Sequence, residues 1–306
     1  MAQPATRQPP ETRCAPATQR TPAPCTAARA GTPRVEHALN LADALGAHNV
    51  GHALNDLVPS GRYGRVYLGS YFCDRYFCAL PPGVFARVLD ACAQAGLPAT
   101  LVVPIPAEGA FDSVVERLGT LLEQGVAIDE VTCNDLGTLA WCTERCDRRL
   151  NAGRLFSRDV REPRDPGFMA HPTAPALLTR ERSAAFPGCR VDGYEFDPVT
   201  PVTDLSGAPT DAVCALHADW CYASTGKICE VASIGKPAER KFRPNEACTC
   251  ACLHYVLEHR PREAGAPAYF KHGRTVYYRQ TDARCVGVGA YRLVHPALLT
   301  EGCERP

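Results

Sequence analysis

The chain has 306 residues, 45% hydrophobic and 22% charged, ordinary for a globular protein and enough for one large α/β domain or two small ones. Its 33 Lys and Arg balance 33 Asp and Glu, so it lacks the overall basic excess that drives non-specific nucleic-acid binding, and only a local patch could serve that role. No apolar run approaches the ~20 residues of a spanning helix, and the N-terminus lacks the apolar core of a secretory signal, so a soluble cytoplasmic protein with no membrane span is expected.

In chain order, residues 1–33 are rich in Pro, Thr, Ala and Arg without apolar periodicity, and read as a disordered tail preceding a single domain over 34–306. Residues 49–57 look helical and 65–69 read as a short buried strand. Phe85, Val88, Leu89 and Cys92 have helical spacing over 85–95, and Gly96 is placed to end that helix in the left-handed conformation. A strand is expected at 99–105 and an amphipathic helix at 111–124 (Val114, Val115, Leu118, Leu121, Leu122) closed by Gly125. Residues 127–133 read as a strand, after which Asn134 or Asp135 caps a helix running to about Arg145. Further strands are expected at 149–156, 191–196 and 212–219, with 157–190 a proline-rich surface excursion. Strand and helix alternating at intervals of about 25–35 residues imply parallel βαβ units, wound into an open sheet or closed into a barrel.

Seventeen cysteines are the anomaly. The number is odd and the chain too long to need disulfide staples, so clustered cysteines in a reducing compartment point to metal or redox chemistry, while most of the others serve as small buried hydrophobes. The densest stretch is Cys221-x7-Cys229-x18-Cys248-x-Cys250-x-Cys252, five cysteines in 32 residues. Cys248 and Cys252 are close enough in sequence to share one metal centre. Iron–sulfur clusters take four Cys thiolates at varied spacings, whereas tetrahedral zinc usually takes two short Cys pairs. Only one short pair is present, which favours iron–sulfur, with zinc the runner-up and a chance group of buried thiols the alternative.

Other residues invite chemistry with less force. His217 and Asp219, near the end of a strand before the cysteines, either bind substrate, tune a metal centre or are satisfied within the fold. Arg154, Arg158, Arg161 and Arg164 lie among Asp159 and Glu162, and read better as a solvated loop face than as a carboxylate site. Lys236, Arg240, Lys241 and Arg243, with Lys227 just ahead of Cys229, make the 230–247 region basic, suited to offsetting a thiolate cluster, gripping an anion, docking RNA, or simply facing solvent. There is no G-x-S-x-G, H-E-x-x-H or Walker motif and no convincing Ser/His/Asp or Cys/His nucleophile.

Several segments resemble one family. Val66-Tyr67-Leu68-Gly69-Ser70-Tyr71-Phe72-Cys73-Asp74-Arg75 resembles a "YLG…C" strand end, and Asn134-Asp135-Leu136-Gly137 a strand-to-helix "DLG" turn. Residues 228–233 and 248–255 resemble an "RCFTA" segment and a "C-x3-C-x2-Y" segment, and 284–292 a C-terminal "C-x-G-Y-R" patch. All are features of the collagenase-like peptidase family U-32, nearest its anaerobic ubiquinone-biosynthesis members. The resemblance, over about residues 45–260, implies a TIM-barrel-like (β/α) fold with a Cys-rich insertion. The segment after Cys252 is shorter than in those relatives, which leaves open whether the barrel is complete.

The resemblance also implies a 4Fe–4S cluster on Cys73, Cys229, Cys248 and Cys252, with Cys250 a possible substitute and Cys221 the reserve for Cys229. Cys73 directly follows a strand, so its thiol belongs at the strand's C-terminal end, where α/β folds build their sites. Cys78, Cys92 and Cys142 fall at core-facing helical positions. The implied activity is oxygen-independent hydroxylation or a related redox modification of a small aromatic molecule or RNA base, alone or with a homologous partner subunit. A peptidase of the same family and a non-catalytic metal-bearing subunit are the alternatives.

Overall fold

Eight short parallel strands, three of them buried at every position, close on themselves. The computed structural model describes residues 32–44, 51, 53–124, 127–157, 159, 172–178, 186–244, 248–259, 269–280 and 283–297. The strands are β1 (Arg34–Asn40), β2 (Arg65–Gly69), β3 (Ala99–Val103), β4 (Ile128–Cys133), β5 (Arg149–Ala152), β6 (Gly193–Phe196), β8 (Val213–His217) and β14 (Ala290–Pro296). They form a closed barrel in the order β1-β2-β3-β4-β5-β6-β8-β14. The eighth strand settles the question of completeness: β14 pairs with β1 along seven residues, from Arg34↔Ala290 to Asn40↔Pro296, and with β8 on its other side.

The four described α-helices, α1 (Asp74–Ala79), α2 (Pro82–Gln94), α3 (Phe111–Gln124) and α4 (Leu136–Arg145), all lie between β2 and β5. The β3–α3–β4–α4–β5 run follows the sequence pattern because each element is locally encoded. Pro82 opens α2 where its missing N–H costs nothing. Gly96 sits just past its end at φ +67°. Asp135 caps α4, its Oδ1 accepting from the Thr138 N–H at 3.1 Å. Among the described residues no helix is long and apolar enough to cross a membrane.

Past β5 the expectations need correction. The strand expected at 149–156 stops at Ala152, where the Gly153 N–H turns onto the Cys133 carbonyl. The one expected at 212–219 breaks after His217, and Asp219, at φ +62°, begins β9 (Asp219–Thr225). β9 belongs to a separate antiparallel sheet of order β10-β11-β12-β9, with β10 (Val256–His259), β11 (Tyr269–His272) and β12 (Thr275–Gln280), inserted between β8 and β14. A two-stranded pair, β7 (Val202–Asp204) and β13 (Arg284–Val286), lies beside the barrel. Of 49–57 only a wide helical turn, Ala53–Leu57, is described as regular structure. The tail 1–31, Gly125, Arg158, Arg161, Glu162 and Arg164 fall outside the described residues.

Strand alternation sorts the side chains into two sets. Val66, Leu68, Leu101, Val103, Val131, Cys133 and Leu150 join Phe85, Val88, Cys92, Val114, Leu118 and Cys142 from the helices in one apolar layer. The intervening positions carry polar groups that bond to one another across the barrel. Arg292 donates to Glu130 Oε2 at 2.8 Å, to the Tyr67 hydroxyl at 2.8 Å and to Glu36 at 3.0 Å. Thr100 donates to Glu130 at 3.0 Å, and Arg65 reaches Thr100 and Asp129. Burial pushes the Glu130 carboxyl up, but Arg292, Arg65 and the Thr100 hydroxyl together more than offset it and hold it at about 2.

Candidate functional site

The C-terminal end of β2 builds the first part of the site. Gly69 has φ +109°, and a Cβ there would overlap the Val102 carbonyl oxygen, so the glycine of the "YLG" segment is required by the close approach of β3. The chain then turns through Ser70 to Cys73, which caps α1 with its Sγ accepting from the Tyr76 N–H at 3.5 Å. Ser70 Oγ accepts from the Cys73 N–H at 2.9 Å and donates to the Asp43 carboxylate, which also accepts the Tyr71 N–H at 3.0 Å.

The inserted sheet supplies the rest. Cys229 follows β9, and its Sγ accepts from the Ala232 N–H at 3.4 Å. Cys248 Sγ accepts from the Cys250 N–H at 3.2 Å, with Cys250 in the left-handed region at φ +55°. A non-glycine residue held there costs about 1–3 kcal/mol, a strain typical of functional loops. The Cys252 carbonyl accepts from His272 Nε2 at 2.8 Å. From the tight turn between β11 and β12, Arg274 reaches back 200 residues to donate to Cys73 Sγ at 3.1 Å and Asp74 Oδ1 at 2.6 Å.

Cys73, Cys229, Cys248 and Cys252 all line one cleft of about 510 Å³ open to solvent, together with Cys250, Lys227, Lys236, Arg243 and Arg274. The four residues singled out in the sequence therefore meet, although they come from three separate stretches. The hydrogen bond from the Cys250 thiol lowers Cys248 to about 6, against its burial and with help from the Cys250 N–H, Lys236 and Arg274. Burial pushes the Cys73, Cys229 and Cys252 thiols up. Among the described residues no three His, Cys, Asp or Glu side chains stand together tightly enough to hold a single metal ion. None of the fourteen described cysteines is in a disulfide.

Other sequence expectations divide. Cys250 lines the cleft, whereas Cys221 lies buried on β9 and does not. Cys92 and Cys142 are packed in the apolar layer as expected, but Cys78 is exposed: α1 is only six residues long and turns that position outward. Arg154 is no solvated loop residue. It is 3% exposed, paired through Nε and Nη2 with Asp197, and ringed by Tyr71, Phe72 and Tyr222 at 5.2–5.5 Å. His217 is buried with Nε2 3.0 Å from Glu195 Oε2. Burial raises Glu195 to about 7, even though Thr132 and Tyr71 also donate to it, and burial keeps His217 well below its usual value.

Asp43, His272 and Arg274 had no signal in the sequence, each being a single polar residue in an unremarkable segment. They connect the cleft to a second cavity. This one, about 460 Å³ and open to solvent, sits at the barrel mouth and is lined by Asp43, Arg154, His217, Trp220, His272 and Tyr277 among others. A smaller space shares Asp43 and His272 with the mouth and Cys73, Cys252 and Arg274 with the cleft.

No family model matches the chain, and no curated protein matches it. Among solved structures, a U32 peptidase superposes with a TM-score of 0.38 at 10% identity, over 62% of this chain and 70% of that one. At that level the likeness carries no functional argument, and the barrel assignment rests on the strand pairings of this chain alone.

Proposed function

We propose that the cysteine cleft holds a 4Fe–4S cluster on Cys73, Cys229, Cys248 and Cys252, and that the protein uses it in a redox modification of a small molecule, of the oxygen-independent hydroxylation type. One observation carries the reading: four cysteines from three distant stretches line a single cleft at the C-terminal end of β2. The donor set fits the group. A cubane presents four separate iron corners, so its thiolates ring a cavity rather than converge on a point, and four cysteines lining one cleft offer that donor set. When bound, such a cluster supplies one-electron chemistry over a range of ~−700 to +450 mV set by its surroundings.

The chain's own groups are suited to those surroundings. Arg274, Lys236 and Arg243 place positive charge beside the thiolates, and the N–H groups of Tyr76, Ala232 and Cys250 donate to three of the four sulfurs. Hydrogen bonds to cluster sulfurs raise the reduction potential by stabilising the more negative state. Arg274 bonds both Cys73 and the buried Asp74, fixing the first ligand against the inserted sheet.

Anaerobic purification tests the reading. A brown protein absorbing near ~400 nm with about four irons per chain is expected. Cys229→Ser or Cys248→Ser should abolish the colour, and Cys92→Ser, buried in the apolar layer, should keep it. Stoichiometric zinc without colour would sink it.

A further inference from the structure

The rim of the cysteine cleft is both basic and apolar, more than the metal centre alone requires. Five cations line the cleft, Arg75, Lys227, Lys236, Arg243 and Arg274, and no carboxylate does. The segment 236–243 carries the charge onto exposed surface. Arg240 and Lys241 stand there outside the cleft lining, and Glu239 is the one acid among the segment's four cations. Six large apolar residues are exposed among those described. Three of them, Ile228, Ile234 and Phe242, directly adjoin in sequence the cleft residues Cys229, Ser233 and Arg243.

Phe242 is the most unusual of the three. It is 55% exposed, and its backbone sits at φ +55°, where bulky residues are rarely found. One hydroxyl holds it there. Ser233 Oγ accepts the Phe242 N–H at 2.9 Å and donates to the Cys229 carbonyl at 3.2 Å. An exposed aromatic is thus fixed to the backbone of a cleft cysteine through a single side chain.

Apolar side chains bordered by charge of one sign have the anatomy of a protein docking surface, and the sign here selects an acidic partner. RNA matches less well. Ile228 and Ile234 offer no face on which a base stacks, and the chain has no overall basic excess.

We propose that this rim is the docking surface for an acidic one-electron carrier protein, with Phe242 its apolar anchor and Lys227, Arg240, Lys241 and Arg243 its basic border. In the docked pair the reduced carrier loses one electron from its own redox group and the cluster beside Cys229 gains it, with no bond formed or broken at the cluster. Contacts of this kind are small, so charge governs how fast they form. That the docked carrier delivers an electron rests on the metal-centre reading; that it docks does not.

Plant-type ferredoxin, an acidic one-electron carrier, is the probe. Stopped-flow mixing of reduced ferredoxin with the anaerobically reconstituted full-length protein reads electron entry. Anisotropy of dye-labelled oxidised ferredoxin reads docking, with or without iron. Arg240→Glu combined with Lys241→Glu should slow reduction and weaken docking about tenfold at low salt. That difference should vanish at about 1 M salt, where charge is screened beyond about 3 Å. Phe242→Asn keeps a residue that tolerates the left-handed backbone, and should cost about tenfold at either salt. Photoreduced 5-deazariboflavin, small and uncharged, should reduce all three proteins at one rate. Equal docking by wild type and the charge-reversed protein, no docking at all, equal slowing of both reductants, or tighter binding of labelled hexauridylate than of ferredoxin would each overturn the proposal. Ferredoxin docking by a protein that never takes up iron would defeat the metal-centre reading alone, and a four-iron brown protein that does not dock ferredoxin would defeat only this one.

Discussion

The two ends of the barrel interior use charge in opposite ways. At the end where β1 and β14 begin, buried Arg65, Glu130 and Arg292 and the partly exposed Glu36 form a lattice in which cations and carboxylates answer one another across strands β1, β2, β4 and β14. At the other end, Asp43, Arg274, His272 and the cysteines bond to loops, sulfurs and carbonyls around two cavities. The described non-glycine residues with positive φ (Asp43, Asp219, Phe242 and Cys250) lie in the loops and inserted sheet rather than within the barrel strands. The difference separates charge that specifies a structure from charge kept for chemistry. Matched groups inside a closed barrel fix register. Strained, cavity-facing groups persist only because that framework holds them.

The largest expected effect comes from breaking the first end. Arg292 is 3% exposed and serves Glu130, Glu36 and Tyr67, so Arg292→Met leaves Glu130 buried without its nearest cation. Removing one partner of a buried pair costs about 3–5 kcal/mol. Urea unfolding should show that loss, and adding Glu130→Gln should recover part of it. A change below about 1 kcal/mol would mean the lattice is not what holds the barrel closed.

Glu195 stands between the two ends, bonded by Tyr71, Thr132 and His217, and is a sharper test because its effect depends on pH. Its folded-state value of about 7 lies above the ordinary 4.5, so the folded protein binds this proton more tightly than the unfolded chain does. The contribution to stability is therefore present below about pH 4.5 and is lost as pH rises through about 7. Gln imitates the protonated form and does not titrate. Relative to wild type, Glu195→Gln should gain about 3 kcal/mol between pH 4.5 and pH 7 in urea titrations. His217, held neutral in both proteins, adds the same opposing slope to each and cancels from the difference if Gln leaves its environment intact. A difference independent of pH would place Glu195 with the matched lattice instead.

What could be read in the sequence follows the range of the interactions. The helices over 85–95, 111–124 and 136–145 and the stop at Gly96 are set by neighbours within a few residues, and they are where periodicity put them. Arg154 reads locally as a solvated residue because its own neighbourhood is charged and polar, whereas its partner Asp197 is 43 residues away. Barrel closure depends on β14 meeting β1, and the Arg292–Glu36 bond spans 256 residues, beyond any local pattern. The cysteines are legible because residue type marks them. Asp43, His272 and Arg274 do comparable work with common residues, and only the fold brings them to the same place.

The smallest expected effect tests whether everything at the cavity end serves chemistry. The "DLG" turn carries part of the family resemblance, yet its geometry is that of a helix cap. Asp135 Oδ1 accepts the Thr138 N–H and Oδ2 accepts the Thr138 hydroxyl at 2.7 Å. A Cβ on Gly137 would come within 3.1 Å of both Asp135 Oδ1 and the Phe111 ring, so the glycine lets cap and helix α3 approach. Neither residue lines the mouth or the cleft. Asp135→Ala should cost about 1 kcal/mol in urea unfolding, the usual worth of an N-cap, and leave iron uptake at its wild-type value. Loss of iron at unchanged stability would instead make this turn part of the site. The motif would then mark chemistry rather than the way a strand end is joined to a helix.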